Sequence, residues 1–164
     1  METFYDINKF SFTKAFTDNW KIICDEYKKV NEYMVQWPEK HLHDSNWDVF
    51  GLFEFPNGDP IDNNCEICPE TTRLIKENIK HNGAAGFSRL QANSIIKPHR
   101  GYYGEFLRMH VGLVVPNGDV GIKVGDDIYH WKNGEVIVFD DRITHEAWNN
   151  TNEDRIVLIV DFIP

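Results

Sequence analysis

No run of eighteen apolar residues occurs in this 164-residue sequence, so it predicts no transmembrane helix. Basic side chains are few: 17 lysines and arginines stand against 26 aspartates and glutamates, a formal net charge of −9. Because neutralising phosphates requires clustered lysine and arginine, this balance argues against a nucleic-acid or anionic-membrane surface. The first residues, METFYDINKF, lack the basic and apolar regions of a signal peptide. We therefore expect a cytoplasmic protein that binds neither nucleic acid nor membrane.

Cysteine is also scarce, with three residues, two of which form the motif Cys65-Glu66-Ile67-Cys68. A zinc site needs four ligands, and the sequence offers no second pair at a suitable spacing. Redox chemistry is the other function typical of this motif. The sequence favours a local structural role for Cys65 and Cys68 over either of these.

The composition, 41% hydrophobic and 26% charged, is that of a globular protein, and we expect one domain over residues 1–164. Apolar residues spaced three and four apart predict a helix over residues 13–34, and Pro69 suits the first turn of a second helix ending near residue 79. The helical part covers about 1–85 and a β core about 86–164. Short strands separated by turn signals are typical of a sandwich, jelly roll or barrel. The predicted strands are 47–55, 86–91, 94–97, 106–115, 120–124, 127–131, 135–139 and 155–162.

The strand over residues 106–115 has one apolar and one polar face. Alternate side chains of a strand point to opposite sides, so Arg108, His110 and Gly112 share the polar face. An ordinary solvated face is the alternative. Because this is among the longest alternating strands, we expect it to be central, with its polar face in a cavity.

Arg155 opens the last strand, 155–162, which is otherwise almost entirely apolar. A guanidinium in such a setting needs an anion. That anion is either an acidic side chain at the strand end or the carboxylate of a ligand.

Seven histidines are present, and three of them lie near the predicted cavity. His99 ends a predicted strand, and His145 lies in a loop just before the last strand. Imidazole suits iron, copper, nickel and zinc, but the position of the usual third ligand, a carboxylate, holds Gly101. The residues alone therefore do not decide whether these histidines bind a metal, or which one. The remaining histidines are expected to be exposed or structural, with His41 and His43 exposed.

Four stretches of the chain are matched in one family. The segments KPHRG, LRMHVGLVVP, WKNGEVIVFDDRITHEAWN and DRIVLIVDFIP together resemble the aspartyl/asparaginyl β-hydroxylases, which are iron(II)- and 2-oxoglutarate-dependent dioxygenases. The resemblance is close from about Gly86 to Pro164. It implies a mainly β fold with N-terminal helices, a double-stranded β-helix (jelly roll, cupin-like). The family also has glycine at the position of Gly101, so the missing carboxylate fits the resemblance.

The resemblance further implies the residues of the site. His99 and His145 correspond to the metal ligands at the catalytic centre, and the expected cofactors are Fe(2+), 2-oxoglutarate and O2. Arg155 corresponds to the anchor of the distal 2-oxoglutarate carboxylate. The residues implied to bind the cosubstrate are Ser88, Arg108, His110 and Arg155.

The substrate is less defined. Members of the family act on Asp or Asn side chains, on free or carrier-bound amino acids and on lipid acyl chains. A small acidic chain favours a small molecule, amino acid or peptide, so we expect hydroxylation at the β-carbon of an amino-acid residue. The alternatives are a lipid acyl-chain hydroxylase, a non-enzymatic cupin-like module that binds a small anion, and a zinc-dependent hydrolase or isomerase.

Two further segments bear on the site. The loop over residues 100–105 would form a lip over the cavity, with Tyr102 and Tyr103 contacting substrate. Asp140 and Asp141 either orient Arg142 or His145, or form a turn with self-bonding carboxylates.

Overall fold

A computed structural model describes residues 2–102 and 104–164. These residues form three helices and eleven strands, together with short 3-10 turns at Ile7–Lys9, Asn31–Tyr33 and Lys40–Leu42. The helices are α1 (Thr13–Val30), α2 (Asp62–Ile67) and α3 (Pro69–Asn78). The strands are β1 (Val35–Gln36), β2 (Trp47–Glu54), β3 (Asp59–Pro60), β4 (Asn82–Leu90), β5 (Ser94–His99), β6 (Leu107–Val114), β7 (Val120–Val124), β8 (Asp127–Tyr129), β9 (Val136–Phe139), β10 (His145–Asn149) and β11 (Arg155–Phe162).

The strands form two antiparallel sheets. The large sheet has the order β1-β2-β4-β11-β6-β9, with β3 paired to β2, and the small sheet has the order β5-β10-β7-β8. The crossing connections between the two sheets give the jelly-roll arrangement. The predicted fold class, mainly β with N-terminal helices, is confirmed.

Two apolar clusters hold these layers together. In the first, α1 and α3 cover one face of the large sheet, with Phe16, Ile23 and Val30 fully buried against it. In the second, the other face of the large sheet packs on the small sheet. Strand β6 therefore divides its residues as predicted, with Met109 and Val111 toward the helices and Arg108 and His110 lining the space between the sheets.

Helix α1 also fixes the start of α3 through a buried carboxylate. Glu26 Oε1 accepts hydrogen bonds from the Thr71 amide at 2.6 Å and the Thr71 hydroxyl at 2.7 Å, and its Oε2 accepts from the Glu70 amide at 3.0 Å. A carboxylate at a helix N-terminus satisfies amides that have no partner within the helix. Pro69 occupies the first turn of α3, as predicted.

The motif Cys65-x-x-Cys68 lies in this helical layer, where both thiols are buried. The Cys65 Sγ donates to the Leu52 carbonyl at 3.2 Å, and burial raises the pKa of Cys68 to about 12. Among residues 2–102 and 104–164, no group of three or more histidine, cysteine, aspartate or glutamate side chains is placed to hold a metal ion. The structural role of Cys65 and Cys68 stays a prediction.

Three local predictions were wrong. Helix α1 ends at Val30 rather than residue 34, because Asn31–Tyr33 tighten into a 3-10 turn. His145 lies in a strand, β10, and not in a loop. His43 is buried rather than exposed, because its Nε2 lies 3.1 Å from the Trp37 carbonyl and its ring packs edge-on against Trp47.

Candidate active site

A pocket lies between the two sheets. Side chains of both sheets line it, so the fold brings together residues that are far apart in sequence. All six residues singled out in the sequence line this one pocket: Ser88, His99, Arg108, His110, His145 and Arg155.

His99 and His145 face each other across two paired strands. Their Cα atoms are partners in the β5–β10 register, and their ring centroids lie 4.3 Å apart. The His99 Nδ1 donates to the Lys97 carbonyl at 2.7 Å, and the His145 Nδ1 donates to the Ile143 carbonyl at 2.8 Å. Because a carbonyl only accepts, both rings carry their proton on Nδ1 and leave the Nε2 lone pair available. Such a backbone contact behind the ring is typical of metal-ligating histidines.

The surroundings of both rings favour the neutral form. Burial lowers the pKa of His145 to about 3, and burial also lowers the pKa of His99. A metal ion binds the neutral imidazole, so neither ring has to lose a proton at neutral pH before it can act as a ligand.

Gly101 explains why no carboxylate follows His99 as a ligand. The Gly101 amide donates to the Asp141 carbonyl at 2.7 Å, and a Cβ at position 101 would overlap the Asp141 carboxylate. A side chain of any kind at this position would therefore displace Asp141. Burial raises the pKa of that carboxyl to about 6.

Arg155 is the most unusual charge in the pocket, being only 1% exposed. Its Nη2 donates to the Ser88 Oγ at 3.0 Å and to the Ser88 carbonyl at 3.3 Å, and its Nε is buried without a partner. Within the described part of the chain it makes no salt bridge, and burial lowers its pKa to about 9. The Trp131 ring supports the guanidinium from one side, with the Cζ 4.6 Å from the ring centroid. The sequence predicted that Arg155 pairs with an acidic side chain or with a ligand carboxylate. Among the described residues no acidic side chain pairs with it.

The Ser88 hydroxyl is fixed by two donors. Its Oγ accepts from Arg155 and from the Trp47 Nε1 at 2.9 Å. Because an indole and a guanidinium can only donate, both acceptor sites of the hydroxyl are occupied and its own proton remains for a ligand. Trp47 is held in turn by stacking on Trp37, with ring centroids 4.1 Å apart and an angle of 3° between the planes.

His110 is oriented in the same way. Its Nδ1 accepts from the Trp131 Nε1 at 3.2 Å, so the proton of the neutral ring is on Nε2, which is buried without a partner. Burial, followed by the nearby Arg155 and Arg108 cations, keeps the pKa of His110 well below its ordinary value of 6.5. Trp131 therefore fixes a proton donor in the pocket and also supports the pocket's cation.

Arg108 differs from Arg155 because it is already paired. Its Nε lies 2.7 Å from the Asp161 Oδ1 and its Nη2 lies 2.9 Å from the Asp161 Oδ2, while Asp141 is 3.7 Å away. Burial lowers the pKa of Arg108, but the Asp161 carboxylate outweighs burial and raises it. Arg155 is therefore the only pocket arginine of the described residues whose charge is not balanced by a carboxylate.

A substitution of Trp131 tests the orientation of His110. We expect the wild-type His110 ring to show an unprotonated Nδ1 and a protonated Nε2 in its ¹⁵N chemical shifts at neutral pH. In Trp131→Phe the two neutral tautomers should mix, because the hydrogen bond that makes the Nδ1 an acceptor is lost. Trp148→Phe is the matched control, since that indole donates to Asp119 outside the pocket. Identical His110 shifts in wild type and Trp131→Phe would contradict this assignment.

Other predictions about the site have mixed outcomes. Asp140 accepts two side-chain hydrogen bonds from Arg142, at 2.8 and 2.7 Å. Of the two side chains that Asp140 was predicted to orient, Arg142 and His145, it therefore holds Arg142. The Arg142 Nη1 in turn donates to the Gly104 carbonyl at 2.7 Å and tethers the loop over residues 100–105. Tyr102 is exposed in that loop, and Tyr103 lies outside the described residues.

The sequence reasoning missed Trp47 and Trp131, which it assigned only to strands. Their role could have been suspected, because a tryptophan in a buried strand needs a hydrogen-bond acceptor for its N–H group. Which acceptor it finds depends on the packing of the two sheets and is not readable from local sequence.

The chain matches one known family over most of its length. The sequence pattern described as aspartyl/asparaginyl β-hydroxylase matches residues 17–164, which is nearly the whole chain. The chain belongs to this family. An ornithine lipid ester-linked acyl 2-hydroxylase of Rhizobium tropici is 38% identical over 122 residues, 73% of this chain and 42% of that protein. The human aspartyl/asparaginyl beta-hydroxylase is 29% identical over 156 residues, 90% of this chain and 20% of that protein.

The chain thus spans less than half the length of these curated relatives. Among solved structures, a Pseudomonas putida prolyl-4-hydroxylase aligns with a TM-score of 0.57 at 11% identity, over 90% of this chain and 86% of that one. A predicted oxalate decarboxylase of Thermotoga maritima aligns with a TM-score of 0.52 at 13% identity, over 80% and 92%. At such identities the likeness establishes the jelly-roll fold alone. No helix of the described residues is long and apolar enough to cross a membrane.

Proposed function

We propose that the protein is an iron(II)- and 2-oxoglutarate-dependent hydroxylase. One observation carries the proposal: beside a pair of neutral imidazoles with free lone pairs, the pocket presents a cation without an acidic partner and polar groups that can only donate. A dicarboxylate satisfies all of these groups, because carboxylate oxygens only accept and carry the missing charge.

His99 and His145 would hold the metal ion through their Nε2 atoms. Two imidazoles suit divalent iron among other metals, and their fixed tautomer fits a ligand role. When bound, iron(II) and 2-oxoglutarate together supply the oxidising power to insert one atom of O2 into a C–H bond. The balanced reaction consumes 2-oxoglutarate, O2 and a substrate C–H, and it yields succinate, CO2 and a hydroxylated substrate.

The chain's own groups bind and orient the cosubstrate. Arg155 would take the distal carboxylate, for which its unpaired Nε and planar fork are suited, and the Ser88 hydroxyl would donate to the same carboxylate. The His110 Nε2 would donate to the remaining part of the cosubstrate. Arg108, whose charge is balanced by Asp161, would line the pocket beside the cosubstrate.

Apolar side chains keep water away from this arrangement. Ile96, Ile122, Phe139 and Ile159 line the pocket between the polar groups, and none of them offers a hydrogen bond to solvent. A dry site strengthens the attraction between Arg155 and a carboxylate and protects a reactive oxidant from side reactions.

The proposal is tested by turnover. Purified protein is supplied with iron(II), 2-oxoglutarate, ascorbate and a panel of amino acids, peptides and acyl compounds, and products are read by mass spectrometry. We expect succinate to form only in air and one substrate class to gain 16 daltons, the mass of one oxygen atom. The β-carbon of an amino-acid residue is the position that the sequence favours.

The alternatives give different results in the same assay. A zinc-dependent hydrolase or isomerase would keep its activity under nitrogen, where a dioxygenase stops. A non-enzymatic anion-binding module would bind 2-oxoglutarate without forming succinate, and would tolerate His99→Ala. Either result would refute the hydroxylase proposal.

A further inference from the structure

Residues 3–5 join the outer edges of the two sheets. Strand β9 is the last strand in the order of the large sheet, and β8 is the last strand in the order of the small one. The Tyr5 amide donates to the Val138 carbonyl of β9 at 2.8 Å, and the Thr3 hydroxyl donates to the Asp127 carboxylate of β8. We call residues 3–5 the edge strap, because they cover one sheet edge and tie it to the other.

An aromatic contact links the edge strap to two rings of the candidate active site. Phe4 forms an antiparallel bridge with Phe139, and their ring centroids lie 6.1 Å apart. The Phe139 ring is 1% exposed, and its centroid lies 4.9 Å from that of His110 and 5.8 Å from that of His145. One buried ring therefore separates the strap from a metal ligand and a cosubstrate donor of the proposed site. Because a protein interior is close-packed, the position of that ring depends on the Phe4 side chain behind it.

A series of hydrogen bonds leads from the edge strap to the same metal ligand. The Thr3 carbonyl accepts from the Asp140 amide at 3.1 Å, and the Asp140 carbonyl accepts from the Ile143 amide at 3.2 Å. The Ile143 carbonyl then accepts from the His145 Nδ1 at 2.8 Å, which is the contact that fixes the tautomer of this ring. The strap thus holds the turn that presents the acceptor to His145.

The Thr3 side chain also contacts the strand that supports β10 on the side away from β5. Its hydrogen-bond partner Asp127 is the register partner of Val124, and Val124 is the register partner of His145. The Thr3 methyl group lies beside Gly125, where an added Cβ would be 3.3 Å from it. The strap therefore reaches the surroundings of His145 by three separate sets of contacts.

The proposed metal site needs such support because only two protein side chains would hold the ion. If one ring moves, the ion is left on a single imidazole. His99 takes its supporting carbonyl from Lys97 of the same strand, whereas the support of His145 comes from residues that are distant in sequence. Groups behind a ligating histidine orient it and raise the affinity of the site for its metal.

We propose that Thr3 and Phe4 are positioning residues of the metal site, and that the edge strap holds the His145 ring in the orientation in which its Nε2 binds the ion. The inference rests on the proposed function for the site itself. It goes beyond that function because the strap lies outside residues 17–164, which match the family pattern, so family membership assigns it no role. Phe4 contacts neither metal nor cosubstrate and acts through Phe139 and the turn before β10.

Substitution of Phe4 tests the proposal in both the metal-free and the metal-bound protein. In metal-free Phe4→Ala at neutral pH, the ¹⁵N chemical shifts of His145 should show a mixture of the two neutral tautomers, because the turn that presents the Ile143 carbonyl is less firmly held. Manganese(II) affinity with 2-oxoglutarate present should fall about 10-fold, the lower end of the effect of losing a group behind a ligating histidine. Phe4→Leu keeps an apolar side chain against Phe139 and should restore most of both properties.

Phe12→Ala is the matched control for Phe4→Ala. Phe12 is another half-buried phenylalanine, but it packs on Phe162 on the helix side of the large sheet, with ring centroids 5.0 Å apart. Phe12→Ala should lower thermal stability, as Phe4→Ala does, while the His145 shifts and the manganese(II) affinity stay as in wild type. Equal changes of these two properties in both variants, or no change in either, would overturn the proposal.

Amide hydrogen exchange in the wild-type protein is a second test, which requires no variant to fold. Coupling is reciprocal, so an ion that binds better when the strap is in place also keeps the strap in place. Exchange of the Tyr5 and Asp140 amides, measured by mass spectrometry, should therefore slow about 10-fold when manganese(II) and 2-oxoglutarate bind. The Phe10 amide, which donates to the Ile7 carbonyl outside the strap, is the internal control and should not change. Unaltered exchange at Tyr5 and Asp140 would contradict the proposal.

Failure of the strap proposal is distinguishable from failure of the proposed function. If wild type bound no manganese(II), the metal site itself would be refuted. The His145 shifts of metal-free Phe4→Ala and Phe12→Ala would still decide whether the strap positions the ring. If wild type bound manganese(II) and Phe4→Ala behaved like Phe12→Ala, only the role of the strap would be refuted.

Discussion

Replacing His145 with alanine is expected to abolish iron-dependent succinate formation while the fold is retained. The effect should exceed about 100-fold, since even the loss of a hydrogen bond behind a ligating histidine costs about 10- to 100-fold. The same result is expected for His99→Ala, because the two rings are register partners that approach each other across one pair of strands. Succinate yield, metal content per chain and the circular dichroism spectrum are the measurements.

His130→Ala is the matched control for this experiment. His130 is an exposed histidine beside the small sheet, and its Nδ1 lies 3.0 Å from the Val120 carbonyl, outside the pocket. Its loss should leave succinate formation and metal content unchanged. If His99→Ala and His145→Ala kept full metal binding and activity, these two residues would not be the metal ligands.

Arg155→Met should have two opposite effects, weaker cosubstrate binding and greater stability. Removing one partner of a buried charge pair costs about 2–5 kcal/mol, so 2-oxoglutarate affinity should fall at least about 30-fold. Without ligand, however, the guanidinium is a buried cation with no carboxylate partner among the residues that the structure describes. Replacing it with an apolar side chain of similar length should raise the free energy of unfolding by about 1 kcal/mol or more.

Calorimetric titration with 2-oxoglutarate and urea denaturation of the ligand-free protein measure these two effects. Arg73→Met, on the exposed surface of α3, is the control and should change neither quantity appreciably. If Arg155→Met were instead destabilised without ligand while its 2-oxoglutarate affinity stayed normal, Arg155 would be a structural residue and not a ligand anchor.

This pair of predictions follows from how the pocket is built. A buried guanidinium, a hydroxyl with both acceptor sites occupied and an imidazole with an unpartnered N–H each cost stability when no ligand is present. Trp47 and Trp131 hold these donors in place so that they need not reorganise when an anion enters. On the proposed function, these groups lower the stability of the ligand-free protein and are satisfied when a dicarboxylate binds.

Much of this arrangement could be predicted from strand periodicity. The alternation over residues 106–115 placed Arg108 and His110 together on one face, and the structure puts that face in the pocket. Arg155 could be singled out because it opens a strand that is otherwise almost entirely apolar. These are local patterns with a period of two, which a single sequence displays directly.

Other features depend on contacts between distant segments. Strand β10 was missed because its sequence, HEAWN, is short and polar, and it becomes a strand by pairing with β5 and β7 on either side. His43 looks exposed in a polar stretch but is buried by Trp37 and Trp47. The pairing of Arg108 with Asp161 joins neighbouring strands β6 and β11, and only the strand order reveals it.

The most direct test of the central claim is a crystal structure of the protein prepared under nitrogen with manganese(II) and 2-oxoglutarate. We expect the metal to be coordinated by the Nε2 atoms of both His99 and His145, with one cosubstrate carboxylate accepting hydrogen bonds from Arg155 and Ser88. A metal ion bound away from these two imidazoles, or a dicarboxylate bound outside the pocket with Arg155 still unpartnered, would contradict it.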